Sequence, residues 1–156
     1  MKRWIIGIIC LFVVLGGIYI VNSKRTFTVD EVKSVLAKMD LEPIKIRYSM
    51  NYAHNERPWL VLAKHKITQK EFVIIIYSDG TIESTELGTT NGDLSYSEML
   101  DIAKSYANND TGFVDNNLSL EVTTDKLVYW TLPINGSSGE YLYFTLKGDQ
   151  MKNTPH

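Results

Sequence analysis

The sequence predicts an α+β protein: an N-terminal transmembrane helix, then two tandem units, each one helix packed on a small antiparallel sheet. Three observations predict it. Residues Trp4 to Val21 run for eighteen positions without a charge. In the rest of the chain the apolar spacing twice changes from a helical period to a strand period. The order of those signals recurs at about 70 residues, longer than a solenoid repeat and suited to a duplicated domain.

The apolar run reads WIIGIICLFVVLGGIYIV. At about 1.5 Å per residue it makes a helix of roughly 27 Å, near the roughly 30 Å hydrocarbon thickness of a bilayer. In lipid a lone segment satisfies its backbone only as a helix. A cleaved secretory signal has a shorter apolar core and a small-x-small exit, whereas this run leaves through Ile20-Val21-Asn22-Ser23-Lys24-Arg25. Cys10 sits mid-run without the small-residue context of lipoprotein processing. Trp4 and Tyr19 mark the two ends, where amphipathic rings prefer the headgroup layer. Lys2, Arg3 and the terminal amine face Lys24 and Arg25 across the run. The positive-inside rule, with the amine counted, places the N-terminus inside and the remaining chain outside. Asn22 to Phe27 is a short polar connector, so whatever follows acts close to the bilayer.

Composition bounds the rest. Apolar residues make up 44% and charged residues 22% of the chain, a globular rather than a disordered balance. Sixteen basic and eighteen acidic residues leave a net charge of −2 and no basic surface for nucleic acid. The only cysteine, Cys10, lies in the apolar run, so the remainder has neither disulfides nor a cysteine metal site. That suits a surface protein of a Gram-positive bacterium. The Asn-x-Ser/Thr triplets at Asn109, Asn117 and Asn135 are then ordinary loop composition.

The first unit, 26–87, opens with Thr28-x-x-Glu31, the pattern in which a capping hydroxyl and a carboxylate satisfy each other's backbone N–H. Val32, Val35, Leu36 and Met39 then form one helical face, and Pro43 stops the helix. From Ile44 to Tyr52 apolar and polar residues alternate, as in a half-buried strand. A turn at His54 to Pro58 leads to a strand at Trp59 to Ala63, and Lys66 to Lys70 connects to a third at Phe72 to Tyr77. That third strand is apolar on both faces and needs cover on both. Asp79-Gly80 signals a hairpin returning through Thr81-Ile82-Glu83.

Gly88 to Gly92 is linker-like, and the second unit, 93–156, repeats the order. Ser95-x-x-Glu98 starts a helix with the face Met99, Ile102, Ala103 and Tyr106. Leu118 to Thr123 alternates as a strand, Leu127 to Leu132 is a second containing Trp130, and Glu140 to Thr145 is a third. Trp130 matches Trp59 at an offset of 71, and Lys147 to Met151 echoes Ser78 to Ile82.

With Trp59 and the segment Glu71 to Ile82, then Trp130 and the segment Glu140 to Met151, the chain resembles the PepSY-like domains. Together with the N-terminal run it is similar to the small YpmB-like proteins of Gram-positive bacteria, whose outer region pairs two cystatin-like units. The turn segments Tyr77-Ser78-Asp79-Gly80-Thr81 and Leu146-Lys147-Gly148-Asp149 depart from the usual closing pattern of those domains. The resemblance implies an extracytoplasmic, non-enzymatic module that binds or restrains a peptidase or a cell-wall enzyme. A structural subunit of an envelope assembly (division, secretion or wall synthesis) is the alternative.

No residue set here specifies catalysis, a cofactor or a metal. Asp110-Thr111-Gly112 imitates an aspartic-peptidase triplet, but that chemistry needs two aspartates sharing a proton. The first half offers no second triplet near Asp40-Leu41-Glu42, so Gly112 reads as a helix stop. His54 and His65 flank a strand without further ligands at metal spacing. Gly136-Ser137-Ser138-Gly139 misses the nucleophile-elbow spacing. The candidate partner-binding residues are aromatic: Trp59, Tyr129, Trp130, Tyr141 and Tyr143. In a strand, Tyr141 and Tyr143 share one face and Leu142 and Phe144 the other. If one face packs the helix, the other is available to a partner.

Overall fold

A computed structural model describes residues 27–49, 57–88, 92–107, 111–134, 140–153 and 155. The order is α1 (Val29–Lys38), β1 (Leu41–Tyr48), β2 (Trp59–His65), β3 (Glu71–Ile76), β4 (Ile82–Glu86), α2 (Tyr96–Tyr106), α3 (Thr111–Asn117), β5 (Ser119–Val122), β6 (Val128–Pro133) and β7 (Tyr141–Phe144). The strands make two antiparallel sheets, β1-β2-β3-β4 and β5-β6-β7.

Both capping boxes form. Thr28 Oγ1 accepts from the Glu31 N–H while the Glu31 carboxylate accepts from the Thr28 N–H at 2.9 Å. Ser95 and Glu98 do the same, with 2.8 Å for the return bond. Helix α1 ends at Lys38, ahead of Pro43, because Asp40 takes a left-handed φ of 55° and turns the chain into β1. Pro43 lies within that edge strand, where the register shifts between Pro43 and Lys45. A proline is tolerated there because an edge residue need not donate to a second neighbour.

The expected spanning helix is corrected. No helix among the described residues is long and apolar enough to cross a membrane. The three helices of the described residues have 10, 11 and 7 residues, at most about 17 Å of length. The run Trp4 to Val21 and the connector up to Thr26 lie outside the described residues.

The expected packing of the two tandem units, each one helix on its own sheet, is corrected as well. The first sheet has cover on both faces. On one, α1 buries Val32 and Leu36 against Val61, Ala63, Ile74 and Ile76. On the other, Leu60, Leu62, Val73 and Ile75 join Met99, Ala103, Val114, Leu120, Trp130, Leu132 and Phe144 in one core. The doubly apolar β3 is explained by this: even positions face α1 and odd positions face the second half. The second half also has two helices, so Gly112 belongs to the start of α3 and is not a helix stop.

Candidate functional site

The face of the second sheet turned away from the shared core carries the aromatic cluster. Registers Glu121↔Tyr129, Ser119↔Thr131, Thr131↔Tyr143 and Pro133↔Tyr141 put these seven side chains on one face. Tyr129 is fully buried and meets Tyr143 edge-on at 6.0 Å between ring centroids. Tyr143 in turn lies 6.4 Å from Tyr141, whose surface is 45% exposed. Three tyrosines therefore run from the interior to solvent on adjacent strands.

A polar seam roots the buried end of this face. The side chains of β1 that point toward the second half are Lys45 and Arg47, continued by Ser49. Arg47 pairs with Glu121 at 2.6 Å and also donates to Ser119 Oγ. Ser49, fully buried, donates toward Glu121 Oε2 at 3.3 Å and the Val122 carbonyl at 3.2 Å. Lys45 Nζ donates to the carbonyls of Asp115 and Leu118 and lies 5.1 Å from the centroid of the Tyr96 ring. The Tyr96 hydroxyl reaches Asp115 Oδ1 at 3.2 Å, and its N–H donates to Glu71 Oε2 at 2.6 Å.

Electrostatics follow from this packing. Burial lowers the Lys45 ammonium below its ordinary pKa, opposed by the Asp115 carboxylate and reinforced by Arg47. Burial, then the Asp115 carboxylate, raises the Tyr96 phenol well above its ordinary value. Glu83 is held below the ordinary carboxylate range by donation from Lys126, then from the Tyr77 hydroxyl.

The other aromatic candidates do different work. Trp130 is fully buried in the shared core, stacked at 5.9 Å on Tyr96. Its indole N–H has no hydrogen-bond partner among the described residues. Trp130 lines a cavity of about 10 Å³ with Lys45, Arg47, Leu60, Leu62, Ser119 and Leu120, room for one water. Trp59 packs on Tyr48 at 3.9 Å, and its indole N–H donates to the Phe27 carbonyl at 2.9 Å. Trp59 thus pins the point where the connector meets the first sheet. Only Tyr129, Tyr141 and Tyr143 come together; the two tryptophans sit in separate cores.

No protein-family model, curated protein or solved structure matches the chain. Among the described residues no group of three or more His, Cys, Asp or Glu side chains is placed to hold a metal ion. His65 is occupied locally, its Nδ1 accepting from the N–H groups of Ile67 and Thr68 in the turn after β2. His54, Asp110 and Gly136 to Gly139 lie outside the described residues.

Sequence reasoning missed the seam. Lys45, Arg47 and Glu121 stand at polar positions of alternating strands, the pattern of a solvated face. A partial signal existed: Glu121 and Arg47 occupy matching strands of the two halves with opposite charge. Nothing local says that those polar faces meet.

Proposed function

We propose that this chain is a non-catalytic binding module acting at the outer face of a cell membrane, where it engages a peptidase or cell-wall enzyme through Tyr141 and Tyr143. The observation that carries the reading is the tyrosine run itself: an exposed ring braced by a second and rooted in a buried third. Tyrosine loses little conformational entropy on contact and offers both apolar area and a hydroxyl, which is why it is enriched at protein interfaces. A ring fixed on a sheet has lost most of that entropy in advance. The resemblance to PepSY-like domains supports the class of partner, and the uncharged stretch at Trp4 to Val21 supports the location.

A photoreactive phenylalanine analogue at Tyr141 tests this in intact cells, with the same analogue at Ile67, 81% exposed in the first half, as control. Capture of a peptidase or wall enzyme at position 141 and not at 67 is expected. With the captured protein purified, Tyr141→Ala should weaken binding by roughly 30-fold, the loss typical of an interface anchor. Equal capture at both positions, or unchanged affinity, overturns the reading. Protease added outside intact cells should digest residues 27–156; protection sinks the assignment to the outer face.

A further inference from the structure

Two sheets have four edges, and three of them are guarded. Edge β1 carries Pro43, a register shift and the cations Lys45 and Arg47, all of which discourage pairing with another strand. At β5 the side chains of the first half already occupy the backbone: Lys45 takes the Leu118 carbonyl and Ser49 the Val122 carbonyl. Beyond β7 the chain folds back, with the Thr145 N–H donating to the Asp149 carbonyl at 2.9 Å and the Met151 N–H to the Tyr143 carbonyl at 2.8 Å.

The fourth edge, β4, has none of these devices. Its sequence Ile82-Glu83-Ser84-Thr85-Glu86 lacks proline, glycine and bulge. Bonds from the Tyr77 N–H to the Thr81 carbonyl and from the Leu87 N–H to the Glu71 carbonyl set the ladder phase. By antiparallel alternation Glu83 and Thr85 then point their backbone groups at β3, and Ile82, Ser84 and Glu86 point theirs outward. Among the described residues nothing pairs with those outward groups. Ile82, Ser84 and Thr85 are exposed. Both glutamates are neutralised within the chain, Glu83 by Lys126 and Glu86 by Lys70 at 2.7 Å.

We propose that β4 pairs antiparallel with β4 of a second copy of this chain, centred on Ser84, to join two four-stranded sheets into one of eight strands. The strand is complementary to itself in that register. Ser84 faces Ser84 of the mate, Ile82 faces Glu86, and Glu83 faces Thr85, so no like charges stand opposite. The three outward residues of each strand then exchange about six backbone bonds. A slide of one residue aims carbonyls at carbonyls; a slide of two sets Glu83 against Glu83 in one direction, and in the other sets Thr85 against Thr85 and leaves Ile82 opposite Gly88, whose N–H is already given to the Asp93 carbonyl, so that about four bonds replace about six. The short contact makes the dimer weak and concentration-dependent, and the twofold makes it closed.

The test uses the full chain in detergent. Sedimentation should show a mass that rises with concentration toward twice that of the monomer. In a Cys10→Ser background, oxidised Ser84→Cys should form a disulfide dimer, since facing residues of a bonded pair sit about 5.5 Å apart between Cα atoms. Thr85→Cys and Ile67→Cys should not. Ser84→Pro removes an outward donor and leaves the bonds to β3 intact, so the dimer should be lost with the circular dichroism unchanged. If that variant misfolds, Ser84→Glu and Ser84→Lys decide: each alone should be monomeric, and an equimolar mixture should restore the dimer. A monomer at every concentration, crosslinking no better at Ser84 than at Ile67, or a dimer that survives both charged variants overturns the proposal. Capture of an unrelated extended peptide on β4 in place of a second copy also overturns it.

Discussion

The two halves of the chain build the same hairpin in different company. After β3 the Tyr77 N–H bonds the Thr81 carbonyl and the Gly80 N–H bonds the Tyr77 carbonyl; after β7 Thr145, Asp149 and Gly148 repeat that pattern. Gly80 and Gly148 both take left-handed φ, 89° and 84°. Trp59 lies opposite Ile76, one residue before the first turn, and Trp130 lies opposite Phe144, one residue before the second. Yet the first hairpin continues into the five-residue edge β4, whereas the second stops at a bridge between Phe144 and Gln150. The first tryptophan closes a small core beneath α1; the second sits in the core that both halves share. Equal local rules thus ended in an open edge in one half and an enclosed end in the other, where the Leu94 N–H bonds the Leu146 carbonyl and Leu94 and Ile102 close over Gly148.

The largest test of that asymmetry is the tryptophan pair. Trp130→Ala empties a fully buried site bounded by both halves and should cost about 4–5 kcal/mol, while Trp59→Ala should cost nearer ~3 kcal/mol. Because the core is shared, each variant should unfold in one cooperative transition, followed by urea denaturation with circular dichroism. A surviving transition of the first half in Trp130→Ala would mean that the halves are independent after all.

The glycine pair sharpens the same contrast at smaller scale. A Cβ at Gly148 would come within 2.6 Å of Leu94 Cδ1 and 2.7 Å of Ile102 Cδ1, whereas at Gly80 the nearest atom, Phe27 Cζ, is 4.0 Å away. Both alanine variants carry left-handed strain of about 1 kcal/mol. Gly148→Ala also has to displace the terminal methyls of Leu94 and Ile102 and should lose ~2 kcal/mol in total. Equal losses would show that the enclosed end yields as easily as the open one.

The smallest effect is a pH dependence that belongs to the contact between the halves. Tyr96 keeps its proton in the folded state beyond its ordinary value of 10.0, so the unfolded chain releases that proton first. Its contribution is therefore complete below pH 10.0 and falls as pH rises further, by on the order of 1 kcal/mol per pH unit. Lys45 has the opposite sign: its folded value lies below 10.5, so folding gains as pH approaches 10.5. The larger Tyr96 shift dominates. Urea midpoints measured from about pH 8 to about pH 11 should fall at the alkaline end, and Tyr96→Phe should flatten or reverse that fall.

Much of this was legible in the sequence because it is local. The capping boxes need only a hydroxyl and a carboxylate three residues apart, and Asp79-Gly80 needs only a glycine able to take positive φ. Tyr141 and Tyr143 share a face because a strand has a period of two, whatever surrounds it. The doubly apolar Phe72 to Ile76 even stated that both faces would be covered. What it left open was by what: α1 is near in sequence, but the second cover comes from residues 96–144. Tertiary structure alone decided that Arg47 meets Glu121, that Trp130 is enclosed while Tyr141 is exposed, and that β4 is left as an open edge. The physical reason is that periodicity assigns a side chain to a face of its own element, and burial depends on which other element arrives at that face.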